Sequence, residues 1–289
     1  MDWSNRDGWP LAETSRRING PRHRWHVQEA GDGPLVLLLH GAGGSTHSMA
    51  PVVRSLGPSF HTVSVDLPGH GFTQLGGQQR SGLAAMATDL RALCDQEGWV
   101  PDLMVAHSSG AAVAMTMAPH FDPIPPVIGI NAALESFDGV AGVLFPALAK
   151  LLASVPFTAS LFSSTARSAG RVESLIRSTG STIPDSSMAC YRALVADRAH
   201  VDGALKMMAQ WSLDPLWAVA DRLGPVTLVA AGNDTTVAPE VSHKAAPRLP
   251  KATVVDIPGY GHLIHEEAPE RIMDLIRAAL AQTKTARQE

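Results

Sequence analysis

Ser108 lies in Leu103-Met-Val-Ala-His107-Ser108-Ser109-Gly110, between an apolar run that reads as a strand and a small-residue run that reads as a helix. This spacing fits a nucleophile elbow, usually G-x-S-x-G, in which strand and helix approach so closely that large side chains would clash. Ala106 takes the place of the first glycine. A serine hydroxyl is a poor nucleophile at neutral pH, so it needs a histidine to accept its proton and an acid to hold that imidazole. Asp234, in Gly232-Asn-Asp234, and His262, in Pro258-Gly-Tyr-Gly261-His262, supply both in the order Ser, Asp, His, each after a strand-like run. Taken singly, Ser108 or Ser109 reads as a helix N-cap, Asp234 as an Asx-type turn and His262 as an exposed loop histidine. The combination carries the reading. Glu135 is a weaker alternative acid and His265 a weaker alternative base.

Acyl transfer also needs donors for the negative charge that develops on the carbonyl oxygen. His40-Gly-Ala-Gly43-Gly44 follows the strongest apolar run, and its glycines leave backbone N–H groups free to point at an anion. The amides of Ala42 and Ser109 are the expected oxyanion hole, and a fixed donor there is worth about 3 to 4 kcal/mol. Asp66-Leu-Pro-Gly-His-Gly71 reads as a structural turn that supports this loop. The chain has 12 histidines but no HExxH or clustered carboxylate spacing, so no metal is expected. The Gly-rich loop lacks the GKS or GKT ending of a phosphate loop, and no GxGxxG is followed by a ribose-binding acid. No cofactor is called for.

These residues must be carried to one place by the elements around them. Short runs rich in Val, Ile and Leu, each followed by a Gly-bearing turn and a helical pattern, predict a buried, mostly parallel sheet with crossover helices. Strands are expected at Leu35–Leu39, Thr62–Val65, Leu103–Ala106, Val127–Ile130, Val226–Ala230 and Thr253–Ile257, with Arg24–Gln28 as an antiparallel edge. Helices are expected at His47–Leu56, Gly82–Gln96, Ser109–Met117, Pro239–Ala246 and Pro269–Ala281. Between Phe137 and Arg222 the strand rhythm stops, and stretches rich in Ala, Leu and Met are broken by prolines. The expected organisation is therefore a core of residues 1–136 and 223–289 with a helical cap, 137–222, over the strand ends. Phe145, Phe157, Phe162, Met207, Met208 and Trp211 are candidates to line an apolar pocket beneath it, or ordinary core.

Composition narrows the classes. The 289 residues are 45% apolar and 17% charged, with a formal charge of -4 and no Lys/Arg run, which argues against nucleic acid as a partner. Cys94 and Cys190 lie in apolar segments without CxxC spacing, so buried, reduced thiols and a cytoplasmic setting are expected. The first ten residues carry Asp2, Asn5, Arg6 and Asp7 where a signal peptide has its apolar stretch, and no run of about 18 apolar residues suggests a membrane span.

Together, the His40 loop, the Asp66-to-Gly71 turn, the Ser108 elbow, Asp234 and His262 resemble the α/β-hydrolase superfamily over most of the chain. This implies an α/β-hydrolase fold, with a mostly parallel, doubly wound sheet and a helical cap. A closer resemblance is to the magnesium chelatase accessory proteins of bacteriochlorophyll biosynthesis. It rests on Trp9-Pro10, Trp25-His-Val-Gln28, Ser45-Thr-His-Ser48, Thr179-Gly-Ser181, Gly203-Ala-Leu-Lys-Met-Met-Ala209 and Gly261-His-Leu-Ile-His-Glu-Glu267. Departures from that family fall at Ala42, Gly44, Met49, Ala106 and Ser109. The resemblance implies a role in photosynthetic pigment synthesis beside magnesium insertion. The expected activity is hydrolysis of a hydrophobic ester-like substrate, possible partners being a porphyrin-related molecule and the chelatase. The competing expectation is a non-catalytic porphyrin-binding or chelatase-assisting protein that keeps the fold. A third is peripheral membrane contact through the cap.

Overall fold

The computed structural model describes residues 1–77, 79–135 and 170–286. Its centre is an eight-stranded sheet formed by β1 (Ser15–Asn19), β2 (Arg24–Ala30), β3 (Leu35–Leu39), β4 (His61–Val65), β5 (Leu103–His107), β6 (Val127–Ile130), β7 (Val226–Ala231) and β8 (Ala252–Ile257). The spatial order is β1-β2-β4-β3-β5-β6-β7-β8. The pairs β1/β2 and β2/β4 are antiparallel, and every pairing from β4 to β8 is parallel.

Alternation along the strands explains why the sheet is covered on both faces. In β3, Leu35, Leu37 and Leu39 enter one apolar cluster, while Val36 and Leu38 enter the other. A strand buried on both sides must read as continuous Leu and Val, which is why β3 was legible as the strongest strand. On the first face lie α2 (Leu83–Glu97) and α3 (Ser109–Met117), and on the second lies α1 (Thr46–Leu56). Every residue of α3 is buried, as its Ser-Gly-Ala-Ala-Val-Ala-Met-Thr-Met composition allows, so the helix that follows Ser108 has no solvent face.

Arg24–Ala30 is antiparallel as expected but lies second from the edge, because Ser15–Asn19 pairs outside it. That outer strand is polar and only Ile18 is buried, so it lacks the apolar signature of its neighbours.

Between β6 and β7 the chain leaves the sheet and forms a helical cap. Its described helices are α4 (Arg171–Arg177), α5 (Asp185–Ala196), α6 (Arg198–Ala209) and α7 (Asp214–Trp217). After β7 come α8 (Pro239–Ala245), α9 (Ile264–Glu267) and α10 (Pro269–Ala286). Val172, Ile176, Met188, Tyr191 and Leu194 of the cap form a third apolar cluster with Trp9, Phe72 and Leu263. Of the six pocket-lining candidates, Phe145, Phe157 and Phe162 lie outside the described residues. Met207 is buried, Trp211 packs against the larger core cluster, and Met208 is 43% exposed and faces outward. Cys94 and Cys190 are buried free thiols. Among the described residues no helix is long and apolar enough to cross a membrane.

The strand order fixes where the working residues collect. From β3 the chain steps to β4 on one side and then crosses to β5 on the other, so the loops after β3 and β5 diverge from adjacent strands. In open α/β sheets this switch point is where ligands bind, outside the carboxyl ends of the strands.

Candidate active site

Ser108 sits between β5 and α3 with φ 52° and ψ -120°, one of three non-glycine residues at positive φ among the described residues. Such a conformation costs about 1 to 3 kcal/mol and persists only where the surroundings enforce it. The Ser108 N–H donates to Ile130 O at 2.9 Å, while its carbonyl accepts from Ala111 N at 3.1 Å and Ala133 N at 3.2 Å. The turn is also too tight for side chains: a Cβ on Gly110 would lie 2.3 Å from His40 O. One on Gly41 would lie 2.9 Å from Ser108 Cβ. The β3 loop and the β5 turn are thus in contact at the nucleophile position.

Asp234 and His262 meet directly. His262 Nδ1 lies 2.6 Å from Asp234 Oδ2, and both residues are buried. The carboxylate's second oxygen, Oδ1, accepts from the amides of Thr236 at 2.7 Å and Val237 at 2.9 Å. With Nδ1–H donated to Asp234, the neutral imidazole keeps its lone pair on Nε2, the tautomer a general base requires. Among the described residues no hydrogen bond joins Ser108 Oγ to His262 Nε2. Such bonds often tighten only with substrate present.

The His262 loop is held by residues that the sequence did not single out. Asn131, at the end of β6 with φ 45°, donates from Nδ2 to Gly261 O at 3.1 Å and His262 O at 2.9 Å. Its Oδ1 accepts from Ala231 N at 2.9 Å, three residues before Asp234. His107 Nε2 donates to His262 O at 2.9 Å, which leaves its Nδ1 unprotonated. Burial, and then the neighbouring His265 and His262, push the His107 imidazolium well below the usual histidine range, so the ring is neutral. His265 is fully buried and its ring lies 4.3 Å from that of His107, without a hydrogen-bond partner among the described residues. Glu135 is paired instead with Lys244 at 3.1 Å.

The cap contributes to the same loops. Thr179 O accepts from both Thr235 N, at 3.5 Å, and His262 N, at 3.1 Å, so one cap carbonyl bridges the acid and base loops. Ser181 Oγ accepts from Leu263 N at 2.8 Å. Glu267 takes the cap amide of Thr182 at 2.6 Å on one oxygen and Gly261 N at 2.9 Å on the other.

At the loop after β3, where the oxyanion donors were expected, Ala42 N donates to Ser109 Oγ at 2.8 Å. Asp66 supports this loop, as expected for a structural turn. It accepts from Thr46 N at 2.7 Å, Phe72 N at 2.8 Å and His26 Nδ1 at 2.6 Å. Burial opposes the Asp66 charge, but the His26 charge and hydrogen bond, with His40 and the Phe72 amide, outweigh it and hold the carboxyl well below the carboxylate range. His200 of α6 is a further cap contact that sequence reasoning missed. Its Nδ1 accepts from Gly71 N at 3.0 Å, and its Nε2 donates to Gly43 O at 3.2 Å. Gly69 and Gly203 make this approach possible, since a Cβ on Gly203 would lie 2.0 Å from Gly69 O. Among the described residues no group of three or more His, Cys, Asp or Glu is arranged to hold a metal ion.

The switch-point loops, the strained serine turn and the capped sheet define the class: the chain belongs to the alpha/beta hydrolase fold family, whose model matches residues 34–269. It is 43% identical over 271 residues to the magnesium-chelatase 30 kDa subunit of Rhodobacter capsulatus, covering 93% of this chain and 95% of that one. It is 27% identical to the 2-(acetamidomethylene)succinate hydrolase of Mesorhizobium japonicum, over 89% of this chain and 91% of that one. An alpha/beta hydrolase fold protein from Burkholderia ambifaria has the same fold, with a TM-score of 0.75 at 21% identity over 91% of this chain and 97% of that one.

Proposed function

We propose that this protein is a serine hydrolase whose triad is Ser108, His262 and Asp234, acting on a hydrophobic ester-like substrate beneath a cap of residues 137–222. The observation that carries the reading is the 2.6 Å bond from His262 Nδ1 to Asp234, which leaves Nε2 free to act as the base. Ser108 Oγ attacks the carbonyl carbon as His262 Nε2 takes its proton. The carbonyl electrons move onto oxygen, where Ala42 and Ser109 supply donors. Collapse expels the alcohol with the proton from His262, and water, deprotonated by the same histidine, releases the acid and restores Ser108.

The test is active-site labelling with a fluorophosphonate. Wild-type protein should label and Ser108→Ala should not, whereas equal labelling of the two rules out Ser108 as the nucleophile. With a turned-over ester, His262→Ala should lower kcat by about four to six orders of magnitude.

A second reading has its own support in the 43% identity to the magnesium-chelatase subunit. On that reading the chain is cytoplasmic or peripheral at a membrane, and works beside magnesium insertion into a porphyrin, by holding the porphyrin or contacting the chelatase. A porphyrin absorbance titration separates the two. A spectral shift at micromolar concentration together with no labelling of Ser108 favours the binding reading.

A further inference from the structure

The donor set around the carbonyl oxygen has an unusual member. An amide that is to stabilise an oxyanion directly must have its N–H free, yet Ala42 N–H is directed at Ser109 Oγ, 2.8 Å away. Ser109 is the first residue of α3, directly after the nucleophile, and is 7% exposed. Its hydroxyl accepts from Ala42 and, among the described residues, donates to no acceptor, so its own proton is uncommitted. Gly41 fixes the spacing, because a Cβ there would lie 2.9 Å from Ser108 Cβ, and the Ala42 amide is therefore held against the elbow.

From this we infer that Ser109 Oγ–H is itself an oxyanion donor, and that Ala42 acts through it. The inference rests on the serine-hydrolase reading above and sharpens its oxyanion hole. Ser109 then supplies two donors, its backbone N–H and its hydroxyl. Ala42 N–H polarises the hydroxyl from behind, as linked hydrogen bonds strengthen one another. No covalent change occurs at Ser109: it keeps its proton and shortens a hydrogen bond as charge builds on the substrate oxygen. Placement at a helix N-terminus adds a field of the right sign. A side-chain donor at this position does what a backbone amide does elsewhere, but it can be deleted by substitution.

The rate of phosphonylation of Ser108 by a fluorophosphonate tests this without knowledge of the natural ester, because the phosphoryl oxygen occupies the oxyanion hole during attack. Ser109→Ala should lower the second-order labelling rate about a hundredfold or more, as for loss of one oxyanion donor. Ser109→Thr, which keeps the hydroxyl, should stay within severalfold of wild type. With p-nitrophenyl butyrate the loss in Ser109→Ala should fall on kcat, with KM within about twofold, as for an interaction made only in the transition state. Both variants should stay folded, with Tm lowered by no more than about 5 to 10 °C, so that the two labelling rates are compared on native protein. Labelling of Ser109→Ala at the wild-type rate or faster overturns the inference and makes the hydroxyl a displaceable occupant of the hole, while the triad reading survives. Wild-type protein that does not label at all overturns both.

Discussion

Asn131 is the residue whose removal should tell most about how this site is held. It is 2% exposed and joins three segments, donating to Gly261 O and His262 O and accepting from Ala231 N. In Asn131→Ala, Ala231 N–H loses its side-chain acceptor and Gly261 O loses a donor, while His262 O keeps His107. A buried group left unpaired costs about 1 to 3 kcal/mol. The φ of 45° is tolerated by Asn but costs a residue with an ordinary Cβ about 1 kcal/mol more. We expect a total loss of about 3 kcal/mol, which for a chain of this size lowers Tm by roughly 5 to 10 °C. Urea denaturation with unchanged m-value is the assay, with fluorophosphonate labelling as the parallel readout. Labelling should slow tenfold or more, since misplacement of a reacting group by about 1 Å costs up to about a hundredfold. Two further variants separate the causes. Asn131→Gly relieves the backbone and should recover about 1 kcal/mol relative to Ala. Asn131→Asp keeps the shape but turns a carboxylate toward two carbonyl oxygens, so it should be no better than Ala at neutral pH. An Asn131→Ala protein within about 0.5 kcal/mol of wild type, the range of ordinary surface changes, would refute the clamp.

Glu266 should make stability fall with rising pH. Burial, outweighing the hydrogen bonds from Tyr191 and Ser187, pushes its carboxyl up from 4.5 to about 7. Neighbouring Glu267 pushes in the same direction. The folded state therefore binds the proton more tightly than the unfolded chain. That contribution is complete below pH 4.5 and is lost as pH rises to about 7, roughly 3 kcal/mol in all at about 1.4 kcal/mol per pH unit. The buried histidines His47, His70 and His265, held down to about 3 chiefly by burial, work in the opposite sense, adding stability as pH rises toward 6.5. The difference in Tm between wild type and Glu266→Gln, followed from pH 4 to 8, isolates Glu266, and a difference independent of pH contradicts the assignment. Gly180→Ala combines a φ of 80° with a Cβ 1.9 Å from Asn233 O, so the cap segment must move away from the acid loop. We expect a loss of about 2 to 4 kcal/mol in denaturation and slower labelling. A loss under about 1 kcal/mol would show that the segment gives way freely.

The parts of the molecule that could be read from sequence are those where one physical demand fixes residue type over a short stretch. Strands β3 and β5 had to be apolar on both faces, and the elbow had to have small residues because Gly110 has no room for a Cβ beside His40 O. Asp234 and His262, which the fold brings within 2.6 Å of each other, were singled out by order and by position after strands. What escaped was set by partners far along the chain. Asn131 looks like any polar residue after a strand until His262, 131 residues later, folds against it. His200 reads as a cap-helix histidine, and only the fold brings it to Gly43, 157 residues away. Strand β1 escaped for a different reason: only one of its five residues is buried, so its pairing is carried by backbone bonds that leave no mark on side-chain pattern. Ser109 was named for its amide, while the hydroxyl that takes up Ala42 N–H depends on how two loops meet.

The same long-range contacts argue about the cap. A lid that swings as a body would have to carry Thr179 O away from His262 N and Thr235 N, and Ser181 Oγ away from Leu263 N. On the other side it would have to carry His200 away from Gly71 N and Gly43 O. Water takes up these groups when the anchors part, so each bond counts for about 0.5 to 1.5 kcal/mol, and parting both anchors together costs several kcal/mol, a large share of the stability of a typical domain. Gly180 against Asn233 O and Gly203 against Gly69 O show the two anchors drawn to backbone contact, a distance that serves docking and gives a hinge no room. The described cap helices are therefore docked at two anchors, on the His262 loop and on the loops after β3 and β4. Substitutions at Thr179, Gly180, Ser181, His200 and Gly203 reach the His262 loop and the Gly41–Gly44 loop from the cap side.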